Sequence, residues 1–168
     1  MQILRIETKF ASMNEFMKKG LFVSLSIVLL SLACNKDNFE TKPTLKLKSQ
    51  NGDIIPVNGI LVVEFDFTDK EGDVNDTLYV RKIRINQRQV PTIRDSFKLK
   101  VPDFPINSQG VIKLEMDYQN YLISALNPPP TGNPPKPEPD TLMIKYALKD
   151  KGNNISDTVT TGPIIVIR

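Results

Sequence analysis

From residue 44 onward, apolar and polar side chains alternate with a period of two, the spacing of strands that bury one face and wet the other. Leu61, Val63, Phe65 and Phe67 alternate with Val62, Glu64, Asp66 and Thr68, and Ile112, Leu114, Met116 and Tyr118 alternate with Lys113, Glu115, Asp117 and Gln119. Leu142, Ile144, Tyr146 and Leu148 repeat the pattern against Met143, Lys145, Ala147 and Lys149. These runs predict half-buried antiparallel strands. Less regular strands are expected over 45–48, 78–86, 97–101 and 159–167. The apolar parity changes between Val80 and Ile83, which predicts a bulge near Arg81 and Lys82. Gly162-Pro163 interrupts the last run and confines it to an edge or a bulge. Turn-forming Asn51-Gly52-Asp53, Glu71-Gly72-Asp73, Ser108-Gln109-Gly110 and Lys151-Gly152-Asn153 separate the runs. About seven strands with hairpin-sized gaps predict an all-β domain over 44–168, built as an antiparallel β-sandwich.

The start of the chain follows another pattern. Lys18-Lys19-Gly20 precedes an apolar run without charge, 21–33, which closes on Cys34 and gives way to polar Asn35-Lys36-Asp37-Asn38. At about 13 residues the run is too short for a hydrocarbon core that takes about 20. The basic flank and the length predict a helical, cleaved signal segment over 1–33. Residues 1–12 add nothing to such a segment, and Met13 or Met17 begins an ordinary one. A buried helix is the alternative, and the lack of a polar face stands against it.

Ser31-Leu32-Ala33-Cys34 resembles the lipobox of bacterial lipoproteins, with a small residue before the cysteine and Ser31 where that motif usually has Leu. The resemblance implies that Cys34 carries a thioether-linked diacylglycerol and, after cleavage before it, an acyl group on its amine. Several chains at roughly 0.8 kcal/mol per buried methylene make such an anchor effectively permanent. The implied address is the cell envelope, lipid-anchored at the outer membrane on its periplasmic or surface face. Cys34 is the single cysteine of the chain, which fits an exported, modified thiol; an unpaired or buried structural cysteine is the other reading. Residues 34–43 then form a flexible tether. Its Asn35-Lys36-Asp37-Asn38-Phe39-Glu40 is similar to the tethers of some Gram-negative surface lipoproteins, and an ordinary solvated linker has the same composition.

Composition narrows the function classes. The first 33 residues hold Arg5, Lys9, Lys18 and Lys19 against Glu7 and Glu15, so the rest is nearly neutral, with both signs interspersed. Nucleic acid is therefore not an expected partner. The chain has no histidine, which removes the commonest general base and transition-metal ligand. After the leader, about 135 residues are enough for one core without disulfides.

Tyr146-Ala147-Leu148-Lys149-Asp150-Lys151-Gly152-Asn153-Asn154-Ile155-Ser156-Asp157 resembles the last hairpin of bacterial immunoglobulin-like and fibronectin-type-III-like domains: Tyr-x-hydrophobic, then Asp, a Gly-Asn turn and a Ser. The resemblance implies an immunoglobulin-like β-sandwich, a scaffold that hosts adhesion, binding and spacer roles without fixing any of them. A second cysteine and a Trp, the usual pin of immunoglobulin domains, are missing.

Few residues offer chemistry. Asp69, Glu71, Asp73, Asn75 and Asp76 put oxygens at nearly every second position, as in a loop that wraps calcium. The EF-hand spacing fails, because Gly72 stands at the fourth place and Val80 where a bidentate Glu belongs. A related segment, 150–157, recurs with fewer acids, and turn formation explains both segments as well as a cation does. The Pro-rich loop 127–139 reads as a stiff polyproline-like excursion, a preformed ligand or a tolerated insertion. Tyr118, Tyr121, Leu122, Ile123 and Leu126 form either an apolar patch beside it or part of the core. Glu115 and Asp117 share an outward face without a sign of a cleft. The expected role is a non-enzymatic binding or structural module of the envelope, touching envelope proteins or glycans, with no cofactor beyond the lipid. A subunit of an envelope enzyme or transport complex, or a passive spacer, are the alternatives.

Overall fold

The computed structural model describes residues 41–168, so the expected signal segment, Cys34 and the tether up to Glu40 lie outside the described residues. The period-two runs become strands. Eleven form: β1 (Thr44–Gln50), β2 (Ile54–Ile55), β3 (Ile60–Thr68), β4 (Thr77–Arg84), β5 (Ser96–Lys100), β6 (Gln109–Asp117), β7 (Pro130–Thr131), β8 (Lys136–Pro137), β9 (Asp140–Lys149), β10 (Val159–Thr160) and β11 (Ile164–Val166). Seven are three residues or longer, and β2, β7, β8 and β10 are two-residue pieces.

One sheet has the order β1-β3-β6 and the other β2-β11-β9-β4-β5, with β10 added to β9. Every pairing is antiparallel except β2 with β11. Register follows from matching apolar parities, because a one-residue slip would turn every inward side chain to solvent. Leu61 lies opposite Met116, Val63 opposite Leu114 and Phe65 opposite Ile112. In the other sheet Leu78 faces Leu148 and Val80 faces Tyr146.

The inward rows of both sheets meet in one core. The rings of Phe65 and Tyr146, one from each sheet, pack 4.7 Å apart and tilted by 59°, both buried. Burying such a side chain contributes roughly 1.5–3 kcal/mol, so this facing pair holds the layers together.

Three expectations are corrected. Arg81 and Lys82 form no bulge: β4 keeps its register on β9 from Thr77 opposite Lys149 to Arg84 opposite Leu142. The parity changes because Lys82 itself occupies the inward row and is buried. Among the described residues a register shift falls instead in β1, between Leu47 and Ser49. The run over 159–167 is two strands, β10 and β11, divided where Gly162-Pro163 cannot continue a ladder. The Pro-rich loop folds back as a small hairpin, β7 on β8, with Gly132 at φ +79° in its turn.

After β6 the alternation stops at Asp117, whose carboxylate accepts the Asn120 N–H at 2.8 Å and starts a single π-helical turn, Tyr118–Leu122. That turn buries Tyr118 and Leu122, and the Tyr118 hydroxyl donates to the Ile167 carbonyl at 2.8 Å. Tyr121 packs on Phe97 at 5.0 Å. Of the five apolar residues here, only Leu126 is exposed.

Candidate functional site

Inward parity carries charged residues to both ends of the core. In β9 the even row Leu142, Ile144, Tyr146 and Leu148 starts at Asp140 and continues past the strand to Asp150, and all six are buried. In β3 the odd row Leu61, Val63, Phe65 and Phe67 continues to Asp69, also buried. In β4 the row of Leu78 and Val80 continues to Lys82, and the Arg84 side chain is only 4% exposed.

Asp140, fully buried, meets cations and donors. Its Oδ1 accepts from Arg84 Nε at 3.0 Å, and its Oδ2 accepts the N–H groups of Ser124 at 2.9 Å and Ala125 at 3.1 Å. Arg168 lies 3.5 Å from Oδ2 and donates to the Ala125 carbonyl at 2.8 Å. Arg84 also reaches Glu138 at 2.5 Å, which ties the β7–β8 hairpin to β4. Next to this cluster, Lys82 donates to the Ile123 carbonyl at 2.9 Å. Burial lowers the Lys82 amine to about 8, against the raising influence of Asp140 and Asp95 and with a small lowering contribution from Arg94. Opposite charges from the described residues meet at this end in one ionic network, in which Arg168 Nη1 makes no hydrogen bond and lies 3.5 Å from Asp140 Oδ2.

The opposite end has no such balance. One carboxylate oxygen from each of Asp69, Asp73 and Asp150 lies within 4.8 Å of the others. Asp69 follows β3 of one sheet and Asp150 follows β9 of the other, so the cluster joins the two sheets through their end loops. Asp69 Oδ2 accepts the Asp73 N–H at 3.1 Å. Asp150 accepts from the Asn154 N–H at 2.7 Å and from its amide at 2.8 Å. The loops touch directly as well, with the Lys151 N–H on the Asp73 carbonyl at 3.1 Å.

Two oxygens of the cluster, Asp69 Oδ1 and Asp73 Oδ1, are buried and accept no hydrogen bond. Among the described residues, no Lys or Arg lies within 4.0 Å of any of the three carboxylates. Burial, then the charges of Asp150 and Asp69, push the Asp73 carboxyl above its usual value. Gly72 sets the bend of the loop at φ +70°, and a Cβ there would stand 2.8 Å from the Asn107 backbone nitrogen.

The other residues of the expected calcium loop go elsewhere. Glu71 is exposed, Asn75 donates to Asp103 at 3.2 Å, and Asp76 pairs with Lys149 at 3.1 Å. Asp140 and Asp150 are not among the expected ligands, and extending the apolar parity of β9 by one step at either end finds both. Glu115 pairs with Lys113 at 2.7 Å on the exposed face, and Asp117 caps the π-turn, so these two do not converge. Around Asp150 the hairpin closes on Ser156, whose hydroxyl accepts the Leu148 N–H at 2.9 Å and whose own N–H reaches the Leu148 carbonyl at 2.8 Å. Cys34 lies outside the described residues. Comparison of the chain with protein-family models and with curated proteins gives no match.

Proposed function

We propose that the chain is a lipid-anchored, extracytoplasmic binding or structural module of the cell envelope, attached through Cys34 and presenting an immunoglobulin-like sandwich whose end loops contact envelope proteins or glycans. The observation that carries this reading is an apolar run that ends on the chain's single cysteine and is followed, from Thr44, by a body of strands. Strand order supports the sandwich type. Immunoglobulin-like domains hold strands A, B and E in one sheet and C, F and G in the other; β1, β3 and β6 correspond to the first set and β4, β9 and β11 to the second, with β5 beyond β4.

The test is metabolic labelling with radioactive fatty acid in the native host. Label on the wild type, its loss in Cys34→Ser, and release of that variant from the membrane fraction support the reading. An unlabelled wild-type chain, or a mature protein that begins upstream of Cys34, overturns the anchor. Protease shaving of intact cells and pull-down from detergent-solubilised envelope then identify the membrane face and the partner; a stable partner distinguishes a contact module from a passive spacer.

A further inference from the structure

We propose that Asp69, Asp73 and Asp150 bind one calcium ion, which clamps the β3–β4 loop to the loop after β9. The site does not depend on the membrane address. Its oxygens lie within 4.8 Å of one another, about the span of two ligands on opposite sides of a calcium ion, which binds oxygen at about 2.3–2.6 Å.

The observation pointing to a ligand is separate from the clustering of acids. Asp69 is 4% exposed, yet its Oδ1 accepts nothing, and the same holds for Asp73 Oδ1. A buried carboxylate oxygen without a partner is expensive, and natural chains satisfy nearly all of theirs. A proton shared between Asp69 and Asp73 would pair these two oxygens, but it removes a single charge and leaves Asp150 and one member of the pair anionic. A divalent cation engages all three side chains at once and leaves a net charge of only about −1.

Donor chemistry selects the ion. All three ligands are hard oxygens, the chain contains no histidine, and its one cysteine lies outside the described residues, so soft or borderline metals have nothing to prefer here. Magnesium demands a near-ideal octahedron, keeps several waters and usually takes one or two carboxylates, whereas calcium accepts irregular sets drawn from loops. Asp150 is held in place by Asn154, and Asp69 by the Asp73 N–H, so the loops are positioned before the ion arrives. Three carboxylates give an affinity in the range of extracellular modules, with a dissociation constant on the order of 0.1–1 mM.

The experiment uses the full chain, purified in mild detergent, stripped with EDTA and dialysed. Calorimetric titration with CaCl2 is expected to show saturable binding of one ion per chain. Melting temperature is expected to rise by about 3–10 °C at 10 mM CaCl2. Asp150→Asn and Asp73→Asn are expected to lose both signals, while Glu71→Gln, an exposed acid of the same loop, keeps them. No heat and no shift in the wild type overturns the site. An equal shift with 10 mM MgCl2, or an equal loss in Glu71→Gln, also overturns it, because either result belongs to general charge screening. Should Asp150→Asn fail to fold, the wild-type titration and Asp73→Asn still decide.

Discussion

At the Asp140 end of β9 the chain brings two guanidinium groups and two backbone N–H groups to one buried carboxylate; at the Asp150 end it brings three carboxylates together and, among the described residues, supplies only local N–H and amide donors. Both ends arise from the same geometric rule, the continuation of an inward row beyond its apolar members. They differ in whether the neighbouring rows end in opposite or like charge. β4 ends its row in Lys82 and Arg84 beside Asp140, whereas β3 ends its row in Asp69 beside Asp150. A buried charge needs an opposite one. The first end carries its counter-charge in the sequence, and the second draws it from solution.

Asp140→Ala tests the self-contained end and carries the largest expected effect. It leaves Arg84 and Arg168 buried without their shared anion, and equilibrium urea unfolding is expected to show a loss of about 3–5 kcal/mol. The same measurement on Asp73→Asn in calcium-free buffer is expected to show a change of opposite sign.

Lys82 gives the next largest effect, through pH. Its folded-state amine titrates near 8 rather than at the ordinary 10.5. Below pH 8 both folded and unfolded chains hold the proton, so the burial penalty is fully present; between 8 and 10.5 the folded chain sheds it first, and stability climbs with pH. Unfolding free energy is expected to rise by roughly 2 kcal/mol from pH 7.5 to pH 10. Lys82→Met is expected to flatten that slope.

The sequence displayed the long strands because β3 and β9 bury one face for their whole length and β6 does so at Leu114 and Met116, and burial writes a period of two directly into the residues. It concealed the places where a polar residue takes an inward position. Lys82 broke the apolar parity and looked like a bulge, although its backbone never leaves the ladder. The Pro-rich segment looked extended because proline lacks an N–H, yet the pairing of Thr131 with Lys136 and the bond from the Glu138 N–H to the Pro129 carbonyl close it into a hairpin. In the acidic loop, every-second-residue spacing holds only while the chain is extended. Gly72 turns it, so Asp69 and Asp73 converge while Glu71 and Asn75 point elsewhere. The third carboxylate comes from the other sheet, a juxtaposition that only the fold creates.

Smaller effects sharpen the contrast. Gly72→Ala forces a Cβ against the Asn107 backbone at a positive φ, and is expected to cost about 1–2 kcal/mol in urea unfolding and to weaken calcium-dependent stabilisation. Asp73→Asn in calcium-free buffer is expected to gain about 1 kcal/mol, because the amide removes a like charge and offers N–H groups to the unpartnered Asp69 oxygen. Tyr146→Phe is expected to lie within about 1 kcal/mol of wild type, on the stable side, since its buried hydroxyl has no partner while the ring keeps its packing on Phe65.

Residue-resolved amide hydrogen exchange, with and without 10 mM CaCl2, compares the two ends of β9 in a single sample. Slower exchange at Asp73, Lys151 and Asn154 on adding calcium, with Ser124 and Ala125 unchanged, is the expected result. Equal slowing at both ends, or no slowing around Asp73 and Asn154, contradicts the division between an end that neutralises itself and an end that takes its cation from outside.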